Sequence, residues 1–172
     1  MARIDPSHQV SMIGLFKKVI IADYIAISSD AYYSAISSGY YPSLLESLIG
    51  TLSFTVQIYF DFSAYSEMAI GLAYIFGFRL PLNFASPYQA TSISEFWRRW
   101  HISLSKFLKD YLYIPLGGNK FGLLKTCRNI FVVMLLGGLW HGASFNFIIW
   151  GALHGFFLII EKINNKYLNF DI

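Results

Sequence analysis

Two histidines, His141 and His154, lie in a segment that contains no Asp, Glu, Lys or Arg, residues 137–155, GGLWHGASFNFIIWGALHG. A histidine that is neutral near pH 7 can accept a proton, which a general base acting on an alcohol must do. His141 is followed by Gly142, and a glycine lets a backbone or a substrate approach closely. From spacing alone, His141 is either a catalytic residue or a hydrogen-bonded structural histidine.

A cationic and aromatic segment offers a second kind of chemistry, residues 93–113, ISEFWRRWHISLSKFLKDYLY. If this segment forms one helix, its Arg98, His101 and Ser105 lie on the same face. A guanidinium and an imidazole side by side can bind an anionic group such as a phosphate, a sulfate or a carboxylate. The alternative is a helix in the headgroup layer, where its basic residues touch lipid phosphate.

A third set of polar side chains lies within the apolar residues 44–78. Gln57, Asp61 and Tyr65 follow one another at intervals of four residues and share a helical face. An ionised group at membrane depth costs at least about 2.5 kcal/mol, so it needs a partner, a wet cavity or a function. This face either lines a polar interior or bonds to a neighbouring helix, whereas Glu67 is expected to be structural.

Several other chemistries have no motif in this sequence. It contains no GxSxG, HExxH or CxxC motif, no phosphate-binding glycine loop and no two histidines at metal-ligand spacing. We therefore predict no metal site, and a hydrolase, metalloprotease or P-loop enzyme has no support. The net charge of +3 comes from scattered short clusters, which do not suggest nucleic-acid binding.

The composition is that of a membrane protein. Charged residues make up 13% of the chain and hydrophobic residues 55%, against about 25% charged residues in a soluble domain. Residues 129–160 carry no charge and would form a helix of about 48 Å, longer than a hydrocarbon core of about 30 Å. We predict two helical pieces that meet near His141, with the break at Gly137, Gly138 and Gly142.

The other apolar segments are also predicted to be helices, although neither has the composition or length of a simple membrane-spanning helix. Residues 10–29 carry Lys17, Lys18 and Asp23 near their middle, which indicates a tilted or interfacial helix. Residues 44–78 are too long for one untilted span. The predicted fold is therefore all-α, a polytopic integral membrane protein with broken or re-entrant helices.

The aromatic and cationic helix is predicted to begin after an ordered loop. Residues 78–92 contain two prolines, and the helix start is expected at Thr91 or Ser92. Ser92 followed by Glu95 fits a capping box. Because the helix combines aromatic and cationic residues, we expect it to lie in the interface or to enter the protein re-entrantly.

Four segments in this order resemble the membrane-bound O-acyltransferase (MBOAT) family, in its bacterial branch that contains the alginate O-acetylases. They are IGLFKKVIIAD, QIYFDFSAYSEMAIGLAYIFGFRLPLNFASPY, SISEFWRRWHISLSKFLKDYLYIPLGGN and LLGGLWHGASFNFIIWGALHG. The resemblance covers about residues 12–161. It implies that residues 1–172 form one membrane domain, an internal fragment of the longer family domain with a partial MBOAT fold.

The resemblance also implies a function. The family's expected activity is transfer of an acyl group, acetyl in this branch, to hydroxyls of an extracytoplasmic polysaccharide such as alginate. His141, in the string LWHGA, is then the expected catalytic base, and His101, in RRWHISLS, is the second catalytic candidate. We expect four further residues to bind substrate: Asp61, Arg98, Trp140 and Ser105. The carboxylate of Asp61 is also expected to orient other groups.

Further expectations follow from the same resemblance. No tightly bound cofactor is expected, because the acyl donor, acetyl-CoA or another acyl thioester or ester, is a substrate. The expected location is the bacterial inner membrane, crossed several times. Expected partners are membrane lipid, the polysaccharide acceptor and periplasmic acetylation proteins, and not nucleic acid. Ala64, Glu67 and Phe145 depart from residues that are common in the family, and both candidate histidines are retained.

Two alternatives belong to other functional classes. In a membrane transporter or polysaccharide-export component, broken helices and polar groups line a path through the membrane. In a non-catalytic membrane scaffold, the chain binds a partner without turnover.

Overall fold

A computed structural model describes residues 6–167, and within them every regular element is helical. The predicted all-α class is therefore confirmed for this part of the chain. The chain forms two compact units, the first ending at Leu82 and the second beginning at Asn83. The α-helices are α1 Pro6–Phe16, α2 Asp23–Ser37, α3 Leu44–Ile75, α4 Ile93–Arg99, α5 Ile102–Leu108, α6 Leu123–His141 and α7 Phe145–Tyr167.

In the first unit, α1 and α2 pack against the long helix α3. A π-helical segment, Lys17–Ala22, joins α1 to α2 without a break. α1 approaches α3 closely at Gly14, where a Cβ would lie 2.8 Å from the carbonyl oxygen of Ala64, and Ala64 is fully buried. Small residues on both helices therefore allow the two backbones to pack closely.

The polar residues of α3 bond to the π-helical segment. Lys17 Nζ lies 2.5 Å from Glu67 Oε1, and Lys18 Nζ lies 2.5 Å from Asp61 Oδ1 and 2.8 Å from Asp23 Oδ1. The bonds to Asp23 and Asp61 raise the pKa of Lys18. The structural role predicted for Glu67 is thus supported, and Asp61 takes part in bonding between helices, the second of its two predicted roles.

The second unit contains an antiparallel pair of helices, α6 and α7, both long and apolar enough to cross a membrane. α6 ends at His141 and α7 begins at Phe145, so the predicted break near His141 is confirmed. The break lies at Gly142, and Gly137 and Gly138 are within α6. The prediction that these two glycines form the break was wrong.

The two glycines within α6 serve helix packing. A Cβ on Gly138 would lie 3.2 Å from Gly151 Cα and would also clash with the carbonyl oxygen of Phe147. A Cβ on Gly151 would lie 2.5 Å from the carbonyl oxygen of Met134. The backbones of α6 and α7 are therefore in contact at this level, which only glycine permits on both sides.

The single helix predicted for residues 93–113 is broken. The N-cap is confirmed, because the Ser92 side chain accepts a hydrogen bond from Glu95 N. The Glu95 carboxylate bonds to Thr91 instead of Ser92, and these bonds lower its pKa to about 2. α4 ends at Arg99, α5 begins at Ile102, and a π-helical turn, Lys109–Tyr113, follows α5.

A buried asparagine fixes the loop before α6. Asn129 is fully buried, and its Nδ2 donates to the carbonyl oxygens of Leu116 and Gly118, each at 3.1 Å. Its Oδ1 accepts from the Arg128 guanidinium, with Nη2 at 2.9 Å. One side chain thus satisfies two carbonyls of this loop.

We expect Asn129→Ala to lower the free energy of unfolding by about 1–3 kcal/mol, because both carbonyls lose their donor. The measurement is thermal unfolding in detergent of the natural protein that contains this chain. The control is Asn165→Ala, at an exposed position on α7. Equal midpoints for the two variants would contradict this role of Asn129.

Candidate active site

The backbone break between α4 and α5 is built around His101. His101 adopts a left-handed conformation, with φ of 42°, and Trp100 before it is extended. Histidine is one of the residues that tolerate this conformation, although it is uncommon outside glycine. The break turns the imidazole away from the face that a continuous helix would give it.

Asn83 holds this break in place from a distant part of the sequence. Its carbonyl oxygen accepts from Ile102 N at 3.0 Å, and its Oδ1 accepts from Ser103 Oγ at 2.6 Å and Ser103 N at 3.2 Å. A second backbone bond runs nearby, from Ala85 N to Arg99 O at 3.0 Å. The strained residue is therefore bracketed by hydrogen bonds on both sides.

We expect Asn83→Ala to lower the acyl-transfer rate proposed below by about tenfold, because small displacements of a positioned group are costly to catalysis. Asn83→Asp retains an oxygen that accepts from Ser103 and should restore most of the rate. Transfer rates are compared at equal amounts of folded protein. If Asn83→Asp is as slow as Asn83→Ala, the side-chain bonds to Ser103 do not account for the effect.

His141 stands at the end of α6 within a group of aromatic rings. Its ring centroid lies 5.0 Å from Trp140, 5.2 Å from Trp150 and 6.0 Å from Phe147. His141 is nevertheless exposed, and neither of its ring nitrogens has a hydrogen-bond partner within residues 6–167. The imidazole thus contacts three aromatic rings and forms no hydrogen bond within this part of the chain.

The structure brings the two candidate histidines together. Trp140 is near both, with its ring centroid 6.2 Å from that of His101 and 5.0 Å from that of His141. Burial lowers the pKa of His101, and the nearby His141 lowers it further. His101 is therefore neutral near pH 7 and can either donate or accept a hydrogen bond.

His154 belongs to the same aromatic group through Trp150. Its centroid lies 4.6 Å from Trp150 and 5.2 Å from Trp97, and it stacks on Phe96 at 6.3 Å. On one continuous helix His141 and His154 would point in different directions, and the turn between α6 and α7 instead lets Trp150 contact both. These contacts favour a packing or supporting role for His154.

Two of the predicted substrate-binding residues lie elsewhere in the second unit. Arg98 and Ser105 line a cavity of about 420 Å³, and neither His101 nor His141 is among its lining residues. Because the helix is broken at His101, the predicted common face of Arg98, His101 and Ser105 does not exist. Trp140, in contrast, lies beside both histidines and is 63% exposed.

Asp61 belongs to the first unit, where its carboxylate is paired with Lys18. The orienting role that the sequence suggested for it stays a prediction. Within residues 6–167, no three residues of the types His, Cys, Asp and Glu are grouped so as to hold a metal ion.

Comparison with known families places this geometry in context. The profile of MBOAT, the membrane-bound O-acyltransferase family, matches residues 13–168, nearly the whole chain and both candidate histidines. The chain belongs to the MBOAT family. The resemblance seen in its four sequence segments is thereby confirmed, and the family is membrane-bound, in agreement with the two long apolar helices.

Curated MBOAT relatives carry names that describe three polymers. The chain is 54% identical to a probable alginate O-acetylase AlgI of Pseudomonas syringae pv. tomato, over 94% of this chain and 31% of the relative. It is 52% identical to a peptidoglycan O-acetyltransferase of Helicobacter pylori, over 87% of this chain and 28% of the relative. It is 33% identical to a teichoic acid D-alanyltransferase of Bacillus subtilis, over 72% of this chain and 34% of the relative. The chain thus spans about a third of the length of the curated relatives it matches.

Proposed function

We propose that the protein containing this chain is an O-acyltransferase, in which His141 acts as the general base. The observation that carries the proposal is the position of His141. His141 is an exposed residue at a helix break, in an MBOAT chain more than 50% identical to relatives named for O-acetylation.

The chemistry requires one proton to move and one acyl bond to be exchanged. A ring nitrogen of His141 removes the proton from a sugar hydroxyl while its oxygen attacks the carbonyl carbon of the acyl donor. The bond from that carbon to the leaving sulfur or oxygen breaks, and the imidazolium returns the proton to the leaving group. The histidine is thereby regenerated, and no metal or tightly bound cofactor is needed for this sequence of steps.

We assign supporting roles to two neighbours of His141. Trp140 offers an exposed side chain near both histidines, where it can contact the substrate. His101, neutral near pH 7, can hold a hydroxyl or a carbonyl oxygen of the substrate by a hydrogen bond. Asn83 acts only through His101 and is a positioning residue.

The names of the relatives support a class of acceptor. They include alginate, peptidoglycan and teichoic acid, so the proposed acceptor is a hydroxyl of an extracytoplasmic polysaccharide such as alginate. The proposed group is acetyl, from acetyl-CoA or another acyl thioester or ester. The proposed setting is the inner membrane, crossed several times, with periplasmic acetylation proteins as partners.

The test follows a labelled acetyl group in membranes that contain the natural protein. Labelled donor and candidate polysaccharide are supplied, and base-labile acetate is measured on the purified polymer. Ester-linked label that depends on the protein supports the proposal. Export of polymer without ester formation, unchanged in a His141→Ala variant, would instead support the transporter alternative.

A further inference from the structure

A cavity in the second unit is lined by positively charged side chains from three separate elements. It is bounded by α4, α5, α6, α7 and the turn after α5, and Arg98, Lys109 and Lys162 contribute to its lining. No Asp or Glu lines it, and none of the three cations forms an ion pair with a carboxylate of residues 6–167. Three uncompensated cations at one cavity favour an anionic occupant.

Much of the apolar lining belongs to the two long helices. Ile130, Val133 and Met134 of α6 and Leu158 of α7 contribute to it. Both helices are long and apolar enough to cross a membrane. A small, fully hydrated anion gains nothing from contact with this apolar surface, whereas the hydrocarbon chain of an amphiphile would bury it.

We propose that this cavity binds an anionic phospholipid. The phosphate lies against Arg98, Lys109 and Lys162, and an acyl chain follows the apolar wall of α6 and α7. Basic pockets between membrane helices are known to bind anionic headgroups, and the volume of about 420 Å³ is in the usual range for a small-molecule site. The site contains neither His101 nor His141, so the proposal is independent of the acyl-transfer chemistry.

The experiment measures lipid binding to the natural protein in a neutral detergent, by native mass spectrometry and by thermal unfolding. The probes, at equal concentrations, are dioleoylphosphatidylglycerol, dioleoylglycerol, inorganic phosphate and coenzyme A. Phosphatidylglycerol is expected to bind and to raise the unfolding midpoint. Dioleoylglycerol lacks the phosphate and inorganic phosphate lacks the chain, so each should have little effect.

Paired lysine variants locate the site. The double variant Lys109→Gln with Lys162→Gln should bind phosphatidylglycerol about 20-fold more weakly, since each lysine near an anionic headgroup contributes a factor of about five. The matched control is Lys106→Gln with Lys166→Gln, two exposed lysines nearby in sequence that do not line the cavity. The charge-retaining double variant Lys109→Arg with Lys162→Arg should bind normally, which separates loss of charge from loss of fold.

Four results would overturn the proposal. They are an equal loss of binding in the control pair, equal stabilisation by dioleoylglycerol, equal stabilisation by inorganic phosphate, and displacement of the lipid by coenzyme A. The first would indicate diffuse surface attraction, and the last would assign the cavity to an acyl donor. A His141→Ala variant should keep its lipid affinity whether or not it transfers acetyl, so failure of either proposal can be recognised separately.

Discussion

His141→Ala is expected to lower the rate of acetyl transfer to polysaccharide by between about 100-fold and 10,000-fold, the usual contribution of a positioned general base. The reason is geometric as well as chemical. His141 is an exposed residue, and its ring lies among those of Trp140, Phe147 and Trp150. No other described histidine combines exposure with a place beside His101.

The measurement is the initial rate of base-labile acetate formation on the polymer, per amount of folded protein in the membrane. His8→Ala is the matched control, because His8 is exposed on α1 in the first unit. It should leave the rate unchanged. Correct insertion of the His141 variant is checked by its unfolding midpoint, since removal of an exposed ring should change stability little.

The outcome for His154→Ala separates catalysis from packing. His154 is less exposed than His141 and lies among Trp97, Trp150 and Phe96, so its loss should reduce stability more than activity. Near-normal transfer by a correctly folded His141→Ala protein would remove His141 from the mechanism. If His154→Ala alone abolished transfer at full stability, the two assigned roles would have to be exchanged.

The helix break at His141 was predictable from the sequence because it depends on length. An uncharged run of residues 129–160 exceeds the thickness of a bilayer, and a glycine within it marks a natural end of a helix. The N-cap at Ser92 was predictable for a similarly local reason. Its side chain and that of Glu95 have the types and the spacing that helix N-termini require.

The break at His101 was not predictable from local sequence. No glycine or proline interrupts residues 93–113, so helical periodicity continues through Trp100 and His101. The break depends on Asn83, which bonds to Ile102 and Ser103 from outside the segment. A contact between residues distant in sequence overrides local helix propensity here, which single-sequence reasoning cannot detect.

The partner of Asp61 was also hidden from sequence patterns. Helical spacing placed Gln57, Asp61 and Tyr65 on one face, which the unbroken α3 confirms. Spacing does not say what that face meets, and the structure places Lys18 there. An ionisable residue at membrane depth thus predicts that a partner exists without identifying it.

The sequence carries a signal for the packing role of the glycines. Gly151 and Gly155 are separated by three residues, the small-residue spacing typical of close helix pairs in membranes. In the structure both face α6, with Gly155 against Phe131 and Met134. Gly138 is the matching residue on α6, and sequence analysis assigned it to the break because it lies so close to Gly142.

Gly138→Ala is therefore expected to lower the free energy of unfolding by about 1–3 kcal/mol, the usual cost of overpacking. Its Cβ would meet backbone atoms of Phe147 and Gly151, which cannot move aside without separating α6 from α7. Because Phe147 also stacks on His141, we expect the acetyl-transfer rate to fall by about tenfold as well.

Gly137→Ala provides the control for Gly138→Ala, since it is one residue away on the same helix. Its Cβ would meet only the Cδ1 of Leu108, at 3.2 Å, the end of a flexible side chain. Both substitutions gain about 1 kcal/mol of helix propensity, so their difference isolates the contact between α6 and α7. Unfolding in detergent should show Gly137→Ala at or slightly above the wild-type stability. If the two variants were equally stable, close backbone contact at Gly138 would not be what holds His141 beside Phe147.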